Sequence, residues 1–156
     1  MTSIARRRHV PAWLARVLAT LALAWLLLAP RQAHAGSYLD RAALLLNGSK
    51  RDSEMLRGRL TDKELATVVQ AIADTRVRAG SRMEVPAAIG KAHPHLLLAL
   101  EHAERAANAA MAGDLRVALE KLDAARRENE AFRALCKEMN LTLPAEGAPP
   151  PRSGER

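Results

Sequence analysis

Apolar residues recur along this chain at helical spacing, and the most regular run lies between Pro94 and Met139. Leu96, Leu100, Ala103, Ala107 and Ala110 follow at steps of four, three, four and three, one face of a helix. Glu101, Glu104, Arg105 and Asn108 take the opposite side. Pro94 suits the first turn of this arm, because its missing N–H is one of the unpaired donors there anyway. Gly113 stops the arm, since it can adopt the left-handed conformation that closes a helix. Asp114 is placed to cap the next helix by accepting backbone N–H bonds. The second arm runs to about Asn140, with Leu115, Leu119, Leu122, Ala125, Phe132 and Leu135 on its apolar stripe and Cys136 and Met139 at the end. Two arms of this length cannot bury both stripes against each other alone and need further helices.

Upstream, the pattern is shorter-ranged. Ser37 to Leu46 reads as a helix with Leu39, Ala42, Ala43 and Leu46 on one side. Asn47-Gly48 predicts a break, with a second helical piece from Ser49 to Gly58. Thr61 to Ala79 predicts a longer helix opened by a Thr61/Glu64 capping box. Leu65, Val68, Val69 and Ile72 would form its inward face, and Gly80 would close it. Residues 81 to 93 are an irregular connection with one helical turn at Pro86 to Ile89. There is no strand-like alternation. The expected fold is all-α, an antiparallel four-helix bundle built around the long C-terminal hairpin.

The first 35 residues have a different character. Arg6, Arg7 and Arg8 precede an apolar run from Val17 to Ala29, Pro30 breaks it, and Ala33-His34-Ala35 forms a small-x-small cleavage site. This is the pattern of a cleaved secretory signal. The run falls short of the roughly 20 residues that span a bilayer. The organisation expected is therefore a signal over 1–35, a helical bundle over 36–141 and a disordered Pro/Gly-rich tail over 142–156. The mature chain would be periplasmic or secreted, with no membrane span.

Export changes the charge. The signal carries five arginines and no acidic residue, so the net charge of +7 falls to +2 once it is removed. A nucleic-acid partner would need a basic footprint, often with stacking aromatics. The mature chain has no long basic block and keeps only Tyr38 and Phe132 as aromatics. Cys136 is the sole cysteine, which rules out an internal disulfide, and its place beside Leu135 and Met139 predicts a buried thiol.

Candidate chemistry is sparse. No phosphate-cradling glycine loop, His-Glu-x-x-His or Gly-x-Ser-x-Gly motif occurs, so no catalytic residue is expected. The absence of Cys-x-x-Cys-His removes covalent haem attachment, and no cofactor is expected. His93, His95 and His102 are the candidate metal ligands. His95 and His102 are two turns apart, about 10.5 Å along a helix, too far to share an ion on an unbroken helix. Asn129 interrupts the apolar stripe of the last helix, where a polar group can set register or meet a partner helix.

Two short stretches resemble known families. Residues 110–122, Ala-Met-Ala-Gly-Asp-Leu-Arg-Val-Ala-Leu-Glu-Lys-Leu, resemble the turn and second helix of a tetratricopeptide repeat, in a single copy. Leu60-Thr61-Asp62-Lys63-Glu64 is similar to the Leu-Thr-x-x-Gln motif of periplasmic stress chaperones, with glutamate in place of glutamine. The capping box accounts for the same residues. The function expected is that of an exported, non-enzymatic helical binding or interaction protein, an envelope stress or chaperone-like module with a protein partner or self-association. The alternative is a metal-binding or metal-buffering bundle using His93, His95, His102 and nearby glutamates. Leu97 and Leu98 beside Leu96 and Leu100 widen the apolar arc beyond what a two-helix seam needs and favour the first reading.

Overall fold

The computed structural model describes residues 37–144, in which the helical pattern resolves into four helices. Helix α1 covers residues 37–58, α2 Lys63–Ser81, α3 His93–Ala112 and α4 Leu115–Glu138, with a short 3₁₀ turn at Ala87–Ile89. The described residues contain no strand. The expected export signal, and the tail beyond Pro144, lie outside the described residues. No helix among the described residues is long and apolar enough to cross a membrane.

The hairpin forms as its sequence predicts. Gly113 sits at φ 85°, and its N–H and that of Asp114 bond Ala110 and Ala109. That pair of bonds closes α3 as a Schellman motif. The Asp114 carboxylate then accepts from Val117 N–H and caps α4, a contribution of about 1 kcal/mol for such a cap. The far end of α4 repeats the closure with Asn140 at φ 55°, while Leu141 N–H bonds Cys136 O.

Side-chain bridges show the up-down order. Arg76 of α2 meets Asp52 of α1 at 2.5 Å, and His95 of α3 meets Glu128 of α4 at 2.7 Å. Arg57 and Asp123, and Asn47 and Arg133, link α1 to α4 in antiparallel sense. The result is an all-α antiparallel four-helix bundle, with α3 packed on both α2 and α4.

The core divides into two clusters along the bundle. One holds Tyr38, Leu46, Ile89, Leu96, Leu100 and Phe132. Met83, Val85 and Leu143 pack against it, so the chain stays on the bundle past residue 141. The other cluster is mostly alanine: Ala66, Ala106, Ala107, Ala110 and Ala118 around Leu56, Val69 and Leu122. A fully buried leucine or isoleucine contributes about 1.5–3 kcal/mol. The first cluster therefore supplies most of the burial energy, and the second lets helices approach closely.

Several local expectations are corrected. Helix α1 does not break at Asn47-Gly48. Gly48 is buried, and a Cβ there would lie 2.8 Å from Arg76 Nη2, so the glycine makes room for a neighbouring side chain. Gly80 likewise does not cap α2, because the helix continues through it. A Cβ at Gly80 would lie 3.0 Å from Leu100 Cδ1, so this position sets the approach of α2 to α3. The N-cap of α2 is Asp62, accepting from Leu65 N–H, and not Thr61. The buried face of α2 is Ala66, Val69, Ala73 and Gly80, leaving Val68 56% and Ile72 39% exposed. On α4, Ala118 is buried where Leu119 was expected. In both helices the seam runs along the small residues, because they let backbones come closest.

Candidate functional site

The middle of α1 and the middle of α4 face each other with short side chains. Ser49 and Ser53 project from α1, and Ala125 and Asn129 from α4, at one-turn intervals. Helices spaced for leucines at Leu46 and Leu122 leave the space between these shorter residues unfilled. The result is a groove of about 490 Å³, with Ala99 of α3 in its lining. Its apolar floor is Leu46, Ala99, Leu122 and Ala125. The groove lies where the two core clusters meet, since Leu46 and Ala99 belong to one and Leu122 to the other.

Two side-chain bridges cross between α1 and α4. Arg57 Nη2 reaches Asp123 Oδ1 at 2.6 Å, and Arg133 Nη2 donates to Asn47 Oδ1 at 2.7 Å. Asp123 and Arg133 are ten residues apart on α4, about 15 Å of helix. The Arg57–Asp123 pair is close to half exposed on both sides and contributes at most about 1 kcal/mol.

The charges lining the groove are unequal in their partners. Lys50 lies 3.9 Å from Glu54, and Arg126 Nε donates to Glu130 at 3.0 Å. Arg133 differs. Its Nε donates to Asn129 Oδ1 at 3.0 Å and its Nη2 to Asn47. Both acceptors are neutral amides, and among the described residues no carboxylate forms an ion pair with Arg133. Asn129, the polar interruption noted in the α4 stripe, therefore holds a guanidinium of its own helix.

The three candidate histidines do not converge. His93 Nδ1 is 2.8 Å from the Tyr38 hydroxyl. His95 Nδ1 is 2.7 Å from Glu128 Oε2. His102 Nδ1 is buried without a hydrogen-bond partner. Burial lowers the pKa of His93, and burial followed by Arg105 and Lys121 lowers that of His102. Among the described residues no three His, Cys, Asp or Glu side chains come together as a metal site. Helix α3 runs unbroken from His93, so the two-turn separation of His95 from His102 stands.

No family model, curated protein sequence or solved structure matches this chain. The sequence pattern singles out neither Arg133 nor Glu130, and only Asn129 signals a polar feature at this seam. Ser49 and Ser53 carried no signal, because the predicted break in α1 hid the register that aligns them with Ala125 and Asn129.

Proposed function

We propose that this protein is a non-enzymatic binding protein, exported by its N-terminal segment, whose working surface is the α1/α4 groove. The observation that carries this reading is an apolar floor of Leu46, Ala99, Leu122 and Ala125 enclosed by charged rims. Small-molecule sites are concave, mostly apolar, and about 300–1,000 Å³ in size. The groove lies within that range. Its unfilled volume comes from short side chains on rigid helices, so it is present before any ligand arrives.

N-phenyl-1-naphthylamine, a neutral dye that fluoresces in apolar surroundings, tests this. The purified protein is expected to bind it saturably at one site. S53L and A125M place a longer side chain in the groove and are expected to suppress binding while helical circular dichroism is retained. Binding that is absent from the parent protein, or unchanged in both filled variants, overturns the reading.

A second reading, contact with another copy of the chain, draws on the outer face of α1 and α2. Leu44 is 63% and Met55 41% exposed, and they lie three turns apart on one line of α1. Gly48 and Asp52, between them on that line, meet Arg76 of α2. Ile72 and Val68 precede Arg76 by one and two turns. The four apolar side chains thus flank one ion pair. Sedimentation showing a mass that rises with concentration, and that V68D lowers, supports this reading, while a strict monomer opposes it.

A further inference from the structure

We propose that the α1/α4 groove takes a single-chain amphiphile with a carboxylate head, its head held by Arg133 and its chain lying on the apolar floor. This rests on the groove being the binding surface and adds the class of ligand. Three observations carry it.

The first is the state of Arg133. A guanidinium held by two amide oxygens keeps its charge and has N–H donors to spare, on Nη1 and Nη2. Its two bonds also fix its orientation, so little side-chain freedom is lost when an anion docks. The planar fork of arginine matches a carboxylate in two parallel hydrogen bonds. Arg57 and Arg126, by contrast, already face Asp123 and Glu130.

The second is the balance of charge. Among the described residues, Arg133 is the one lining guanidinium that faces no carboxylate, whereas Lys50, Arg57 and Arg126, which also line the groove, face Glu54, Asp123 and Glu130. One negative charge is matched there. A doubly charged phosphate head would find one compensating guanidinium for its two charges. The arrangement therefore selects a monoanion.

The third is shape. The apolar floor lies between bridges about 15 Å apart along α4. An extended alkyl chain fits such a slot. A helix of a protein partner, about 10–12 Å across with its side chains, would have to part α1 from α4 and break the Arg57–Asp123 and Arg133–Asn47 bridges.

The experiment is displacement of N-phenyl-1-naphthylamine by laurate, compared with dodecyl phosphate and dodecyltrimethylammonium, all kept below micelle formation. Laurate is expected to displace the dye one-to-one and to outcompete both others. In R133Q the ratio of laurate to dye affinity is expected to fall about tenfold or more, the usual effect of losing a charged hydrogen bond. N47D supplies Arg133 with a carboxylate of its own and is expected to lower the same ratio, and it stands as the test if R133Q fails to fold. An unchanged ratio in the folded variants, or preference for the phosphate or the cation, overturns the carboxylate assignment while dye binding blocked by S53L keeps the groove reading. A folded protein that binds neither dye nor laurate overturns both.

Discussion

Arg133 and Asn47 lie 86 residues apart in the chain, yet Nη2 of one donates to Oδ1 of the other at 2.7 Å. The bond ties α4 to α1 without neutralising the guanidinium, because its acceptor is an amide. N47A is expected to lower stability by about 1 kcal/mol, the typical net value of a hydrogen bond. N47D turns the same contact into a charge-assisted bond and is expected to melt above N47A. Thermal unfolding followed by circular dichroism compares the two. An N47D midpoint at or below that of N47A would show that Arg133 does not carry an unneutralised charge.

The alkaline limb of stability is expected to follow Tyr38. Burial first, and the neighbouring Cys136 second, push its phenol up to about 12. An acid with a raised folded pKa holds its proton longer in the folded state. Its contribution is therefore complete below the unfolded value of 10.0 and is lost as pH rises from there to about 12. That interval corresponds to roughly 3 kcal/mol. Burial also raises the Cys136 thiol, which acts in the same direction. Tyr38 is the chain's only tyrosine, so absorbance at the tyrosinate band reports it alone. The expected midpoint is near 12 when folded and near 10 in urea, and a folded midpoint near 10 would contradict its burial.

The acid limb is expected to follow His102 and His93, whose pKa values are lowered chiefly by burial. A base with a depressed folded pKa stabilises the fold fully above its unfolded pKa. That contribution is lost as pH falls from about 6.5 toward the folded value. The protein should therefore melt lower at pH 5 than at pH 7. H102L removes both the titration and the unpartnered Nδ1, so its melting point should depend less on pH across this range. The same pH slope in H102L and the parent would remove His102 from the account.

Cys136 is fully buried on α4 and its thiol pKa is raised by burial. The thiolate is the reactive form, so the native protein is expected to resist alkylation and thiol-disulfide exchange. Modification should keep pace with unfolding, measured by mass spectrometry across a urea series. Rapid labelling without denaturant, or a disulfide-linked dimer on a non-reducing gel, would contradict the packing of α4.

Periodicity in the sequence determined the helical class, the hairpin, Gly113 as its turn and Asp114 as the cap of α4, because these depend on residues a few positions apart. It also placed Leu96, Leu100 and Phe132 in the core, since a large apolar side chain on a regular stripe has few other places to go. It misjudged the faces built from small residues. Ala66, Ala73 and Ala118 carry weak hydrophobic signals, yet they form the seams, and Val68 and Leu119 are left partly in water.

The two glycines taken as punctuation, Gly48 and Gly80, lie inside helices because Arg76 and Leu100 come so close to them. Only the tertiary structure could decide that, since each contact joins separate helices. The groove belongs to the same class of fact. Ser49 and Ser53 become a cavity wall only when α1 lies opposite Ala125 and Asn129. Arg133 becomes a candidate anion site only because Asn47, far away in sequence, meets it with an uncharged oxygen. Local periodicity specifies which elements form, whereas the gaps and unmatched charges between them arise from packing.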